Sequence, residues 1–129
     1  MARWSDSRTI PLVPRKVLVI DDHPGFRRTA RRLLEGDGLE VVGEAGDAAS
    51  GLAAARMLEP DIALVDIYLP DSDGFELTSR LAALAKPPAV ILTSSREQSE
   101  FEDLVERSFA RGFVPKHELS GDALEDLLK

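Results

Sequence analysis

The chain has no cysteine. That excludes disulfide frameworks, thiolate nucleophiles and cysteine-based zinc sites. Histidine is scarce too, and His23 and His117 read as exposed and separated, so a zinc pair is not expected. No apolar run approaches the length of a membrane span, and the start Met1-Ala2-Arg3-Trp4-Ser5-Asp6-Ser7 lacks the apolar core of a signal peptide. Positive charge is in deficit: 16 Lys and Arg stand against 23 Asp and Glu, a net charge of −7. A domain so charged repels nucleic acid and anionic membranes, and part of the excess is expected to form a carboxylate cluster that wants a cation. What is present is ordinary for a folded protein. With 43% apolar residues in 129, the chain can bury one real core but not two. A soluble, cytoplasmic, single-domain protein is expected.

Residues 1–14 are polar, carry Pro11 and Pro14 and show no period, the pattern of a flexible N-terminal arm ahead of a domain over 15–129. From there strand-like and helix-like segments alternate. Val17 to Ile20, Leu39 to Ala45, Asp61 to Asp66, Ala89 to Leu92 and Gly112 to Pro115 read as strands, several without polar alternation and so buried on both faces. Between them Phe26, Ala30, Leu33 and Leu34 recur at helical spacing behind Pro24, with Arg27, Arg28, Arg31 and Arg32 as a solvated opposite face. Asp47 caps a second helix that Pro60 ends. Gly74 and Phe75 open a third, with Leu77, Leu81 and Leu84, closed by Pro87-Pro88. Phe101, Leu104, Val105 and Phe109 mark a fourth, and Ser120 or Asp122 begins a last one. Five βα units in this length predict a doubly wound parallel sheet.

Four of the apolar runs end in polar residues suited to phosphoryl chemistry. Val17-Leu18-Val19-Ile20 ends in Asp21-Asp22, Ile62 to Val65 in Asp66, Val90-Ile91-Leu92 in Thr93-Ser94, and Phe113-Val114-Pro115 in Lys116. As parallel strands they converge on the carboxyl edge of the sheet, where open α/β folds place ligands. Mg²⁺ is a hard ion that prefers oxygen ligands. Asp22 and Asp66 are its natural pair, with Asp21 as a direct or water-mediated supporter and the Tyr68 carbonyl as a backbone ligand. A carboxylate can also act as nucleophile and form an aspartyl phosphate. Lys116 would offer an ammonium to one phosphate oxygen and Thr93 a hydroxyl to another. Each residue has a plainer reading alone: Asp66 as a turn acid, Asp21-Asp22 as the cap of the helix at Pro24, Lys116 as a snorkelling strand end, Thr93 as an ordinary β-residue. Together, in this order, they are a strong signal.

These segments together, Val-Leu-Val-Ile-Asp21-Asp22, Leu-Val-Asp66-Ile-Tyr-Leu-Pro70 with Gly74 beyond, Ile-Leu-Thr93-Ser94 and Gly112-Phe113-Val-Pro-Lys116, resemble the receiver domain of bacterial response regulators over almost the whole chain. The resemblance implies a flavodoxin-like fold of strand order 2-1-3-4-5 with helices on both faces. It implies that Asp66 accepts a phosphoryl group from a sensor histidine kinase or a phosphotransfer protein. Asp21, Asp22, Asp66 and the Tyr68 carbonyl would hold Mg²⁺, and Thr93 and Phe113 would be the switch pair that reshapes a surface read by a downstream protein or output domain. Phe113 has no hydroxyl, so this switch would rest on packing.

Three features are unusual or informative beside the usual pattern of that family. His117 follows Lys116 where many relatives have proline, so a trans bond is expected. Phe109 stands where glycine is common, which points to a rearranged turn with Phe109 exposed or packed on a partner. Tyr68 and Ser95 lie two residues beyond Asp66 and Thr93, bordering the path of the attacking water, and bulky Tyr68 is expected to slow hydrolysis. The chain is expected to be no enzyme beyond its own phosphotransfer and dephosphorylation. Two rivals stand beside the switch: an Asp-nucleophile phosphatase, which wants an acid where Tyr68 stands, and a docking module independent of phosphorylation, against which Asp22, Asp66, Thr93 and Lys116 argue. A stand-alone receiver and one cut from a longer regulator both fit the sequence.

Overall fold

A computed structural model describes residues 13–96 and 100–129; the arm expected over 1–14 lies, but for exposed Val13 and Pro14, outside the described residues. Among the described residues five strands and five α-helices alternate: β1 Lys16–Ile20, α1 Pro24–Gly36, β2 Glu40–Ala45, α2 Ala48–Leu58, β3 Ile62–Asp66, α3 Gly74–Ala82, β4 Ala89–Ser94, α4 Glu102–Arg107, β5 Gly112–Pro115 and α5 Gly121–Leu128. A 3₁₀ turn, Lys116–Glu118, joins the last two. The strand pairings are parallel in the order β2-β1-β3-β4-β5, the flavodoxin-like sheet expected from the sequence.

The unbroken apolar runs are split by the two-residue period of a strand. Leu18, Ile20, Ala63, Val65, Val90 and Leu92 face α2, α3 and the start of α4, where Ala55, Leu77, Leu81 and Phe101 meet them. Val17, Val19, Ile62, Leu64 and Ile91 face the other way, onto Ala30 and Leu34 of α1 and Leu124 of α5. Each buried Leu or Ile contributes about 1.5–3 kcal/mol. Exposed pairs such as Arg80–Glu76 and Arg107–Asp103 contribute about 0–1 kcal/mol, so the two apolar layers, not the surface charges, hold the sheet.

Element ends differ from the sequence reading in instructive ways. Asp47 caps α2 as expected, accepting from the Ser50 amide at 2.7 Å, and Ser120 rather than Asp122 caps α5. α2 stops at Leu58 because Glu59 turns left-handed (φ 48°), one residue before Pro60. The cap of α1 is not an aspartate. His23 occupies that position without a capping side-chain bond, and the Asp21 carboxylate instead accepts the His23 amide at 2.9 Å. α3 ends at Ala82, so Leu84 and Pro87-Pro88 lie beyond it, and α4 is only six residues long, leaving Phe109 outside any helix. β1 and β2 also shift register between Val17 and Leu18, a bulge that puts Gly43 opposite Leu18. Among the described residues Glu59 is the one non-glycine with positive φ, so the turn at Phe109 needs no left-handed residue, and Phe109 is 72% exposed.

Gly74 fixes the loop after β3. A Cβ there would lie 2.7 Å from the Asp66 carbonyl oxygen and 2.9 Å from the Ile67 Cα, both backbone atoms that cannot step aside. Gly74→Ala is therefore expected to lower stability by about 1–3 kcal/mol, read as a lower urea midpoint with an unchanged slope. An unchanged midpoint would show that the loop after Asp66 yields freely.

Candidate functional site

Register brings the predicted side chains together. Ile20 pairs with Val65 across β1 and β3, and Asp66 pairs with Thr93 across β3 and β4, so Asp21, Asp66 and Thr93 leave the sheet at the same edge. Lys116 enters from the turn after β5. Its Nζ lies 2.7 Å from Asp21 Oδ2 and 3.4 Å from Asp66 Oδ2, and 4.5 Å from the centre of the Phe26 ring of α1. The ring face adds a cation–π attraction that helps hold the ammonium in place. Phe26, read from the sequence as core, thus also borders the site.

Asp21 is fully buried and Asp66 is 3% exposed, while Asp22 is open to solvent. The approach of Lys116 to Asp21 Oδ2 is an ion pair without hydrogen-bond alignment, so this buried oxygen has no hydrogen-bond partner in the protein. Three carboxylates against the single ammonium in contact with them leave a formal surplus of two negative charges. An orphaned buried oxygen and an uncompensated acid cluster are what a divalent, oxygen-seeking cation would complete, so Asp21, Asp22 and Asp66 fit such an ion.

Asp66 does not titrate as an ordinary surface carboxylate. Burial pushes the Asp66 carboxyl up from 3.8 to about 6, and the negative charge of Asp21 pushes the same way. The Tyr68 amide, which donates to Asp66 Oδ1 at 3.1 Å, and the Lys116 ammonium pull it back only in part.

Thr93 is fully buried, and its hydroxyl donates to the Val114 carbonyl at 2.7 Å, so it is turned toward β5 rather than toward Asp66. Phe113 is already inside, 6% exposed, with its ring 6.0 Å from that of Phe101. Phe101 in turn meets the Tyr68 ring edge-on at 5.9 Å, and the Arg96 guanidinium lies over the Tyr68 ring at 5.3 Å from its centre. Tyr68 is half exposed and Ser95 is exposed, both at the rim.

Several participants escaped the sequence reading. His23, expected to stand apart, has its Nδ1 3.1 Å from both Asp21 Oδ1 and Asp22 Oδ1. The spacing Asp-Asp-His before a helical proline was the available signal. Asp71 accepts the Ala48 and Ala49 amides at 2.8 and 3.0 Å, which holds its carboxyl below the usual range and ties the loop after Asp66 to the start of α2. The arginine face is also less solvated than expected. Arg27 and Arg31 pair with Glu44 of β2, and Arg27 Nη1 donates to the Asp21 carbonyl at 2.6 Å; Arg28 and Arg32 stay exposed.

The family profile for the response regulator receiver domain matches residues 17–128. BvgA of Bordetella pertussis, named for transcription regulation, is 42% identical over 103 residues, 80% of this chain and 49% of that protein. The response regulator GacA of Pseudomonas aeruginosa is 33% identical over 115 residues, 88% of this chain and 52% of its own length. The chain thus spans about half the length of these curated relatives. A two-component response regulator of the LuxR family from Aurantimonas superposes with a TM-score of 0.80 at 30% identity, covering 89% of this chain and 85% of that one.

In the metal-free protein, Asp66 is a carboxylate whose folded pKa lies above its unfolded value. Its contribution favours the fold at low pH and is lost as pH rises through about 6. With a chelator present, Asp66→Asn is expected to be more stable than wild type at pH 7.5 by about 1–2 kcal/mol, water at the cluster having weakened the full effect. The gain should shrink below pH 6 and vanish near pH 4 in urea unfolding. A difference independent of pH would contradict the raised pKa.

Proposed function

Because the chain belongs to the response regulator receiver domain family, we propose that it is a phosphorylation-controlled switch in which Asp66 accepts the phosphoryl group. The observation that carries this reading is the near-buried Asp66 carboxylate, held between the Tyr68 amide and the Lys116 ammonium beside a fully buried Asp21. An oxygen of Asp66 attacks phosphorus, the bond from phosphorus to the donor's imidazole nitrogen breaks, and that nitrogen keeps the electron pair and takes a proton from solvent. Lys116 is close enough to shift from Asp21 toward a phosphoryl oxygen, and Thr93 can rotate from the Val114 carbonyl to donate to another.

Mg²⁺ is the ion that suits Asp21, Asp22, Asp66 and the Tyr68 carbonyl, and when bound it supplies positive charge against the phosphoryl oxygens. Phe113, Phe101 and Tyr68 form a packed aromatic row from the switch strand to the rim, so movement of Thr93 reaches the surface near α4 through packing. The donor is a sensor histidine kinase or phosphotransfer protein, and the receiver surface is a downstream protein or an output domain. The chain acts in the cytoplasm, and among the described residues no helix is long and apolar enough to cross a membrane. It is no turnover phosphatase, because the general acid such an enzyme needs two residues after its nucleophile is replaced by Tyr68, half exposed and packed on Phe101.

A small phosphodonor such as acetyl phosphate, with Mg²⁺, is expected to give the wild type one hydroxylamine-labile phosphoryl group by intact mass, and Asp66→Asn none. A wild type that gains no labile phosphate overturns the reading. Tyr68→Asn opens the rim to water and is expected to shorten the lifetime of the acyl phosphate severalfold, followed by decay of the phosphorylated mass. An unchanged decay would remove Tyr68 from the control of hydrolysis.

A further inference from the structure

We propose that His23 is a ligand of the cation site through Nδ1, giving it a nitrogen donor that late first-row divalent ions of the cobalt, nickel and zinc class use and Mg²⁺ does not. The inference rests on the reading of Asp21, Asp22 and Asp66 as cation-holding acids. His23 stands at the N-cap of α1 yet makes no capping bond. Its ring is turned to the acids instead, with Nδ1 3.1 Å from an oxygen of Asp21 and 3.1 Å from an oxygen of Asp22. In the metal-free protein the contact of Nδ1 with Asp21 Oδ1 is a hydrogen bond. Ligands bound at 2.0–2.2 Å in neighbouring positions of a metal also stand about 3 Å apart, so an ion can take the place of that bond's proton with little movement of the ring.

One ligand atom each from Asp21, Asp22, His23 and Asp66 lies within 4.8 Å of the others. The other oxygen of Asp21, Oδ2, is wholly buried and meets the Lys116 ammonium at 2.7 Å without a hydrogen bond, so it too can turn to an entering ion when Lys116 shifts toward another oxygen. His23 is two-thirds exposed, so an ion reaches the site from solvent without opening the fold.

Donor chemistry decides which ion benefits. Three carboxylates satisfy Mg²⁺, and an imidazole adds little to a hard ion that retains its water. For cobalt, nickel and zinc the imidazole is a preferred ligand, and mixed nitrogen and oxygen sites bind first-row ions more tightly from manganese through cobalt to nickel. His23 therefore sets how strongly these ions compete with Mg²⁺ for the acids beside Asp66.

The test uses protein stripped with a chelator and titrated calorimetrically with CoCl₂ and, separately, MgCl₂, with the visible absorption of Co²⁺ followed in parallel. Wild type is compared with His23→Asn and with His117→Asn, a control at an exposed histidine outside the cluster. His23→Asn should weaken Co²⁺ binding by about tenfold or more and shift the Co²⁺ absorption, while Mg²⁺ affinity changes by less than about twofold. His117→Asn should bind both ions as wild type does. Equal Co²⁺ affinity in wild type and His23→Asn overturns the proposal. So does a parallel loss for both ions, which would make His23 only a support for the carboxylates, and so does an equal loss in His117→Asn. The Co²⁺ titrations decide His23 whatever Mg²⁺ does. A wild type that does not bind Mg²⁺ overturns instead the underlying reading of the acids.

Discussion

Two carboxylates buried side by side, with one ammonium to hold them, form the constraint around which this fold is arranged. Asp21 and Asp66 end adjacent strands, and Lys116 reaches both from the turn after β5. Removing the ammonium would leave two like charges buried together, at a cost of several kcal/mol. The rest of the edge reads as support for that arrangement: the Tyr68 amide on Asp66, the His23 amide on Asp21, the Phe26 ring against the ammonium, and Arg27 on the Asp21 carbonyl. The apolar layers supply the stability that makes such an edge tolerable.

That division of labour explains what the sequence disclosed. Strand positions were legible because burial on both faces demands unbroken apolar runs, and β1, β3 and β4 consist of little else. The gathering of Asp21, Asp66, Thr93 and Lys116 followed from parallel register, since each directly follows or ends a run. Helix ends were less legible, because they depend on which backbone amide a neighbouring side chain can reach. Glu59 ends α2 by its own left-handed backbone, which no propensity favours, and the amides that open α2 are satisfied by Asp71 from a distant loop. The bulge opposite Leu18 was invisible for a similar reason: it answers to the packing of Gly43 against Leu58 and Leu18, not to any local pattern.

Side-chain direction was the other hidden quantity. The spacing of His23 said where its backbone would lie but not that its ring would turn from capping to the acids. Phe109 posed the reverse case. The residue expected to be exposed on a rearranged turn is exposed, and its turn needs no left-handed backbone, because the six-residue α4 ends before it and leaves the chain free to turn elsewhere. The surface beside α4 is thereby shaped by how short that helix is.

The hydroxyl bond from Thr93 to the Val114 carbonyl gives the domain a noise floor. Turning Thr93 toward the acids breaks a buried bond and leaves a carbonyl of β5 unpaired, about 1–2 kcal/mol uphill. Thermal motion alone would then hold that rearranged state in roughly one molecule in six to one in thirty. A side chain in that position without a hydroxyl would lose both the restraint and the response, leaving the strand with no preference between its quiet and its altered form.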